Sequence, residues 1–232
     1  MPFKHLLALA PIAVLGLAGC GGNDGPSKKD FIVKADQTCK ELARERDRTP
    51  YFRALESRGT GAESFEPREG ELNATGYPRR MAAFADTAAE LANRRVQRFK
   101  ALELPSDGKD RDGAQAYIDG LRPVTTQTER LKTVIAEQRR VIRPVAGRMQ
   151  ATAKELEKRD KAGPEVYPAS EDSEAWEREF DRYRRDQDRT QAALNRITGQ
   201  IDQLTEADKN STQKANVYGM RVCGEASFFL SF

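Results

Sequence analysis

The sequence predicts an all-α protein, an elongated antiparallel helical bundle with coiled-coil-like packing. Apolar residues recur at alternating steps of three and four over long stretches, which places them on one face of a helix. No five-residue stretch alternates convincingly between apolar and polar side chains, so strands have no competing signal. Charged residues make up 32% of the 232 residues, above the roughly 25% of typical soluble proteins, which predicts ionic outer faces around a modest core.

The first nineteen residues have the layout of a secretory signal. Lys4 and His5 precede an apolar run from Leu6 to Leu17, and small residues follow it. The run is shorter than the roughly 20 helical residues that cross a bilayer. Residues 1–19 are therefore predicted to be a removable signal peptide and not a permanent span.

The end of this segment, Leu17-Ala18-Gly19-Cys20, closely resembles the lipobox of bacterial lipoproteins. The resemblance implies that the signal is cut before Cys20, whose thiol carries a diacylglycerol, and that the new amino terminus is often acylated as well. Two or three acyl chains anchor a protein stably, since each buried methylene contributes about 0.8 kcal/mol. The implied address is the extracytoplasmic face of the cell membrane, with residues 20–27 as a lipidated tether. An ordinary signal with a coincidental cysteine is the alternative.

Removal of the signal leaves a chain without histidine, because His5 is the only one. Histidine is the usual general base near neutral pH and the commonest metal ligand. Ser-His-Asp triads, Cys-His pairs and His-bearing zinc sites are therefore excluded from the mature chain. The net charge of +3 comes from 39 basic and 36 acidic residues, which disfavours a nucleic-acid partner.

The remaining cysteines, Cys39 and Cys223, are predicted to form a disulfide that joins the N- and C-terminal helices. An even pair on the oxidising side of a membrane is typical of a structural bond. Closing so long a loop is worth roughly 5 kcal/mol in the chain-entropy model. A redox-active pair is the alternative, although the Cys-x-x-Cys spacing that usually marks one is missing.

The helical bundle is predicted to cover residues 28–227, and its first helix spans residues 28–48. Ser27 and Asp30 resemble a capping box at its start. Residues 49–77 lose the periodicity and are rich in Gly and Pro, which predicts an irregular loop that is disordered or wraps the surface.

The next helix is predicted to open at Pro78, which suits a first-turn position, and to end at Pro105. The strongest periodic run follows, from Ala114 to Leu156. Two prolines inside it, Pro123 and Pro144, are expected to kink or divide it, but the unbroken phase favours one bent helix.

Two further helices are predicted toward the end of the chain. One begins near Glu171 and keeps its apolar stripe to Leu204, and a short one at about 209–224 carries the last cysteine. The apolar tail, residues 228–232, is expected to pack on the bundle rather than on a partner.

One acidic cluster is a weak candidate for a metal site. With Gly113 at the sixth position of a calcium loop, Asp110, Asp112 and Asp119 take the third, fifth and twelfth positions. The first position, however, is Gly108. An acidic helix start that is favoured by the helix dipole is the preferred interpretation, and no cofactor is expected.

Two basic clusters are candidates for contact with lipid headgroups or an anionic wall polymer. They comprise Arg94, Arg95, Arg98 and Lys100, and Arg139, Arg140, Arg143 and Arg148. Acidic residues are interspersed with them, so a solvated helix face is the preferred interpretation.

Both ends of the domain carry a second resemblance. Residues 31–39, Phe-Ile-Val-Lys-Ala-Asp-Gln-Thr-Cys, and residues 218–224, Tyr-Gly-Met-Arg-Val-Cys-Gly, resemble the ends of uncharacterised secreted or lipid-anchored helical proteins of actinobacteria. The resemblance implies a paired-cysteine framework and an extracytoplasmic address. No known activity comes with it.

These observations predict a membrane-anchored, non-catalytic binding or cell-envelope interaction module. The expected partners are membrane lipid, through acylated Cys20, and an envelope protein or anionic wall polymer. A small-ligand or cation-binding lipoprotein that works with a transporter is the first alternative. A helical cell-wall hydrolase with a carboxylate general acid is the second.

Overall fold

The computed structural model describes residues 25–56, 76–162, 173–225 and 228–229. In these ranges it contains helices and no strand, which confirms the all-α prediction. The helices are α1 (Lys28–Arg48), α2 (Pro50–Glu56), α3 (Gly76–Lys100), α4 (Gly108–Gly120), α5 (Arg122–Ala162), α6 (Ser173–Tyr218) and α7 (Val222–Glu225). None of the described helices has an apolar stretch long enough to cross a membrane. The predicted signal peptide and Cys20 lie outside the described residues.

The longest helices, α5 and α6, form an antiparallel hairpin. Gln200 Nε2 in the second half of α6 donates to Gln127 Oε1 near the start of α5 at 2.7 Å. At the other end of the pair, Arg148 Nε donates to Asp186 Oδ2 at 2.9 Å. Helix α3 packs on α5, α4 on α6, and α1 on α3. The result is the predicted elongated helical bundle.

The core consists of the predicted apolar stripes. Full burial of one large apolar side chain contributes about 1.5–3 kcal/mol to stability. Aromatic rings in the core also contact each other edge to face, as Phe99 and Tyr117 do with their ring centroids 5.1 Å apart. The fully buried members include Phe31, Leu42, Met81, Phe84, Phe99, Tyr117, Leu121, Leu131 and Ile135. Apolar burial therefore connects α1, α3, α4 and α5.

The predicted first helix and disulfide are confirmed. Ser27 Oγ accepts a hydrogen bond from Asp30 N at 3.2 Å, and Ser27 N donates to Asp30 Oδ2 at 3.3 Å. These bonds close the capping box. Ser27 Oγ also donates to Asp30 Oδ2 at 2.7 Å, and this bond, the bond from Ser27 N and the charges of nearby lysines hold the pKa of Asp30 below its usual value. Cys39 and Cys223 are bonded with their Cα atoms 5.5 Å apart.

The predicted irregular loop at 49–77 is wrong for its first part, because α2 occupies residues 50–56. Pro50 suits the first turn of this helix, and Phe52 N donates to Thr49 Oγ1 at 3.4 Å. Phe52 is buried and its ring lies 6.4 Å from that of Phe84. Residues 57–75 lie outside the described residues, and α3 begins at Gly76 rather than at Pro78.

The predicted bent helix from Ala114 to Leu156 is divided. Helix α4 ends at Gly120 and α5 begins at Arg122. Pro123 explains the division, since it has no backbone N–H and its ring crowds the preceding turn. Leu121 at the junction keeps helical angles, with φ −80° and ψ −20°, so the apolar phase continues across it. Pro144, by contrast, lies inside α5.

The predicted break near residue 208 is also wrong, because α6 runs without interruption to Tyr218. Asp208 and Ser211 occupy buried positions in the same stripe as Leu204 and Ala215. Helix α6 ends in a Schellman motif at Gly219, whose φ is +99°. Met220 N donates to Ala215 O at 2.9 Å and Gly219 N to Asn216 O at 2.9 Å.

Candidate ligand-binding cleft

A cleft of about 730 Å³ lies between α4 and the end of α6. Lys28 of α1 and Pro123 of α5 complete its lining. Most of the lining surface is apolar, and the charged groups among the described lining residues are three lysines and one aspartate. Its volume falls within the roughly 300–1,000 Å³ of small-ligand pockets.

Small residues on α4 form one wall of the cleft and allow α6 to come close. A Cβ atom at Gly113 would lie 2.6 Å from the ring of Tyr218, and one at Gly120 would lie 2.7 Å from Cδ of Lys214. Real Cβ atoms essentially never lie that close to another heavy atom. Gly113 and Gly120 therefore determine how Tyr218 and Lys214 lie along the cleft.

Tyr218 is the most highly connected side chain in the cleft. Its hydroxyl donates to Asp110 O at 2.8 Å, and Lys28 Nζ lies 4.7 Å from its ring centroid. Burial, together with the negative charge of Asp110, raises the pKa of Tyr218 to about 12. The phenol is therefore neutral and a hydrogen-bond donor at physiological pH.

The raised pKa of Tyr218 makes stability fall at high pH. Between pH 10 and about 12 the unfolded chain loses this proton while the folded chain keeps it. The contribution is thus present below pH 10 and is lost as the pH rises to about 12. We expect Tyr218→Phe to reduce the decline in unfolding free energy over this interval by on the order of 2 kcal/mol, as measured by urea denaturation at several pH values. Tyr183→Phe on the same helix is the matched control, and equal slopes for the two variants would contradict the assignment.

The lysines give the cleft an excess of positive charge. Lys28 lies 3.5 Å from Asp110 Oδ1 and shares that carboxylate's charge. Within the described parts of the chain, Lys109 and Lys214 have no acidic partner within 4.0 Å. Val217 stands beside them with 84% of its surface exposed, so one edge of the cleft combines ammonium groups with an uncovered apolar side chain.

The cleft lies close to the point where the predicted tether reaches the domain. Ser106 N, in the connection before α4, donates to Pro26 O at 3.1 Å, and Lys28 two residues later lines the cleft. The chain from Cys20 to Gly25 spans at most about 18 Å when fully extended. A group attached to Cys20 is therefore held near this end of the bundle.

Beneath the cleft, Tyr117 connects the lining to a buried ion pair. Arg95 Nη2 lies 3.1 Å from the Tyr117 hydroxyl, and Arg95 Nη1 lies 3.1 Å from Asp208 Oδ1. Burial disfavours the charged form of Arg95, but Tyr117 and Asp208 outweigh it and raise its pKa above the ordinary value. The guanidinium is therefore charged inside the core.

The same ion pair holds the C-terminal segment. Phe229 N donates to Asp208 Oδ2 at 3.0 Å, and the Phe228 ring lies 5.0 Å from Arg95 Cζ. Arg46 Nη1 also donates to Phe228 O at 2.8 Å. Both phenylalanines are buried, as predicted for the tail, while residues 230–232 lie outside the described residues.

The weak candidate metal ligands do not form a calcium loop. Residues 108–120 are helical, Asp107 caps them by accepting from Asp110 N at 3.1 Å, and Asp119 lies 3.1 Å from Arg122. Asp112 is exposed on the same helix. Among the described residues, no group of three or more His, Cys, Asp or Glu could hold a metal ion. The acidic helix start is confirmed.

Four of the eight residues in the two basic clusters are paired or buried within the bundle. Arg94 and Arg98 pair with glutamates of α1 and α3, and Arg95 is buried. Arg148 pairs with Asp186, and Arg139, Arg140, Arg143 and Lys100 remain exposed on helix faces. The expectation that Arg95 belongs to a solvated face is wrong, because its position follows the buried stripe that contains Leu91, Ala92 and Phe99.

Comparison with protein-family models, curated proteins and solved structures finds no match to this chain. Its function must therefore be inferred from the geometry of the cleft. Sequence reasoning did not identify this cleft, since Lys28, Lys109 and Lys214 are far apart in the chain. The one signal that could have indicated it was the small-residue spacing of Gly113, Ala116 and Gly120 on a predicted helix.

Proposed function

We propose that this protein is a lipid-anchored, extracytoplasmic, non-catalytic binding module whose binding surface is the cleft between α4 and α6. The observation that supports the binding role most directly is the composition of the cleft. Two lysines without an acidic partner among the described residues lie beside apolar and aromatic walls. Such a surface is complementary to a ligand with a negative charge and an apolar part.

A binding role fits the chemistry of the lining better than catalysis does. Among the described residues, Asp110 is the one carboxylate that lines the cleft, and it is paired with Lys28. Tyr218 and Tyr117 both use their hydroxyls in contacts with protein groups. The described lining residues include neither a nucleophile with an adjacent general base nor two facing carboxylates as in glycosidases.

The membrane anchor is supported by the lipobox-like sequence and by the short chain between Cys20 and the described bundle. The disulfide between Cys39 and Cys223 fits the same extracytoplasmic address. An anchored domain meets its ligand at the membrane surface. The cleft lies near the end of the bundle that the predicted tether joins, so an anchored chain would hold it close to that surface. The alternative of a small-ligand or cation-binding lipoprotein that works with a transporter uses the same cleft, and the identity of the ligand distinguishes the two roles.

The anchor is tested by separating the total protein of cells that express the chain into a detergent phase and an aqueous phase. We expect the wild-type chain in the detergent phase and Cys20→Ser in the aqueous phase, because the thiol that receives the lipid is gone. The mass of the mature amino-terminal peptide should show the acyl chains in wild type alone.

The neighbouring substitution Gly21→Ser is the matched control and should partition as wild type does. Detergent-phase partition of Cys20→Ser together with an unmodified amino-terminal peptide in wild type would overturn the anchor.

A further inference from the structure

We propose that the cleft binds the headgroup of an anionic phospholipid in the membrane to which the chain is anchored. The inference rests on the proposed function, and it names the ligand of that binding surface. Three features of the cleft support it: its charge, its exposed apolar edge and its position relative to the tether.

The charge of the cleft favours an anion. Lys109 and Lys214 approach it from opposite helices, α4 and α6. Lys28 adds a third ammonium group, partly neutralised by Asp110 at 3.5 Å. Lysines near a membrane surface attract anionic headgroups, and this attraction accumulates with each lysine. A phosphodiester in the cleft would supply a negative charge that the described protein groups around Lys109 and Lys214 do not.

The apolar edge favours a lipid over a free anion. Val217 is 84% exposed, the highest fraction among the described large apolar side chains. It adjoins Ala116 and Tyr218 in the lining. A glycerol backbone and the first methylenes of an acyl chain would cover this edge, whereas inorganic phosphate would leave it in water.

The position of the cleft makes the membrane the nearest source of such a ligand. Pro26 and Ser106 hold the incoming chain beside α4, and the fully extended segment from Cys20 to Gly25 reaches about 18 Å. Tethering of this kind raises the effective concentration of headgroups at the cleft. Weak affinity for a single lipid therefore suffices to orient the bundle on the bilayer.

The test uses the full chain with Cys20→Ser, so that no acyl anchor holds it on vesicles. The fraction of protein that sediments with phosphatidylglycerol vesicles is compared with the fraction that sediments with phosphatidylcholine vesicles. The second fraction gives the background binding that is due to the apolar amino terminus. We expect a clear preference for phosphatidylglycerol. Lys109→Gln/Lys214→Gln should lower that partition coefficient by roughly tenfold or more.

A matched control removes the same charge elsewhere. Arg139 and Arg140 are exposed on α5, about 24 Å along the helix from Pro123. Arg139→Gln/Arg140→Gln should keep the phosphatidylglycerol preference within about twofold. Circular dichroism and a free-thiol assay establish that each variant keeps its helices and its disulfide.

The remaining outcomes overturn the proposal in distinguishable ways. Equal losses for the lysine and arginine variants would mean non-specific charge attraction, and equal binding to both vesicle types would remove the lipid. Saturable binding of soluble glycerol phosphate that displaces the vesicles would assign the cleft to a free anion. A chain that prefers phosphatidylglycerol but shows no Cys20-dependent detergent partition would overturn the anchor and leave the ligand of the cleft intact. A chain whose detergent partition depends on Cys20 but which shows no preference for phosphatidylglycerol would overturn this inference alone.

Discussion

Replacement of Asp208 by alanine is expected to lower the unfolding free energy by about 3–5 kcal/mol, the range for breaking a buried ion pair by removing one partner. Asp208 has no exposed surface and Arg95 is 2% exposed. Without the carboxylate, the guanidinium in the core keeps its contact with the Tyr117 hydroxyl but loses its counter-charge. Phe229 N also loses its acceptor. Urea denaturation followed by circular dichroism measures the change.

Two further variants separate the charge from its surroundings. Asp202→Ala, at an exposed position of the same helix, should change the unfolding free energy by less than about 0.5 kcal/mol. Arg95→Met/Asp208→Leu should recover much of the loss, because no unpaired charge is then buried. If Asp208→Ala were no worse than Asp202→Ala, the ion pair would not be buried in solution.

The contact between Asp208 and Phe229 gives the same substitution a local effect. We expect the amide hydrogen of Phe229 to exchange faster in Asp208→Ala than global destabilisation alone produces, because this amide loses its acceptor. The Ser211→Ala variant keeps that acceptor and provides the comparison.

The sequence predicted the helices where one apolar stripe dominates and failed where polar residues replace apolar ones in that stripe. Leu204, Ala215 and Tyr218 lie in the same phase, but Asp208 and Ser211 between them have the composition of a helix end. Their polarity is satisfied by Arg95 and by backbone groups. A partner such as Arg95 is tertiary, so periodicity in one segment cannot reveal it.

The tail and the two termini show the same limit. The burial of Phe228 and Phe229 could be predicted from their apolar character, but their contacts with Arg46 and Arg95 could not. Asp36 likewise accepts from the backbone N–H groups of Val222 and Cys223 at 2.9 and 3.3 Å. This cap on α7 joins residues from opposite ends of the chain.

The cleft depends on the relative placement of two helices. Gly113 and Gly120 have low helix propensity and are unfavourable when α4 is considered alone. Their role follows only from Tyr218 and Lys214 on α6, which occupy the space that side chains would need. Lys28, Lys109 and Lys214 lie far apart in the sequence and line the same cleft only in the folded bundle.

Reduction of the disulfide between Cys39 and Cys223 is expected to lower the unfolding free energy by up to about 5 kcal/mol, the chain-entropy value for a loop of this length. The bond joins two cysteines that are 184 residues apart in the sequence, so it restricts most of the unfolded chain. The value is an upper estimate because residual structure in the reduced, unfolded chain lowers the entropy that the bond removes. Urea midpoints of the Cys20→Ser chain with and without reductant measure the difference.

Cys39→Ala/Cys223→Ala is the control for effects of the reductant itself, and its midpoint should match that of the reduced chain and not respond to reductant. The cysteines are 5% and 3% exposed, so a thiolate has poor access to either sulfur and the native bond should resist reduction until the bundle opens. Rapid reduction of the disulfide in a glutathione buffer, without loss of helix, would instead favour a redox-active pair. An unchanged urea midpoint would show that the contacts of Asp36, Arg46 and Asp208, and not the sulfur bond, hold the two ends of the bundle together.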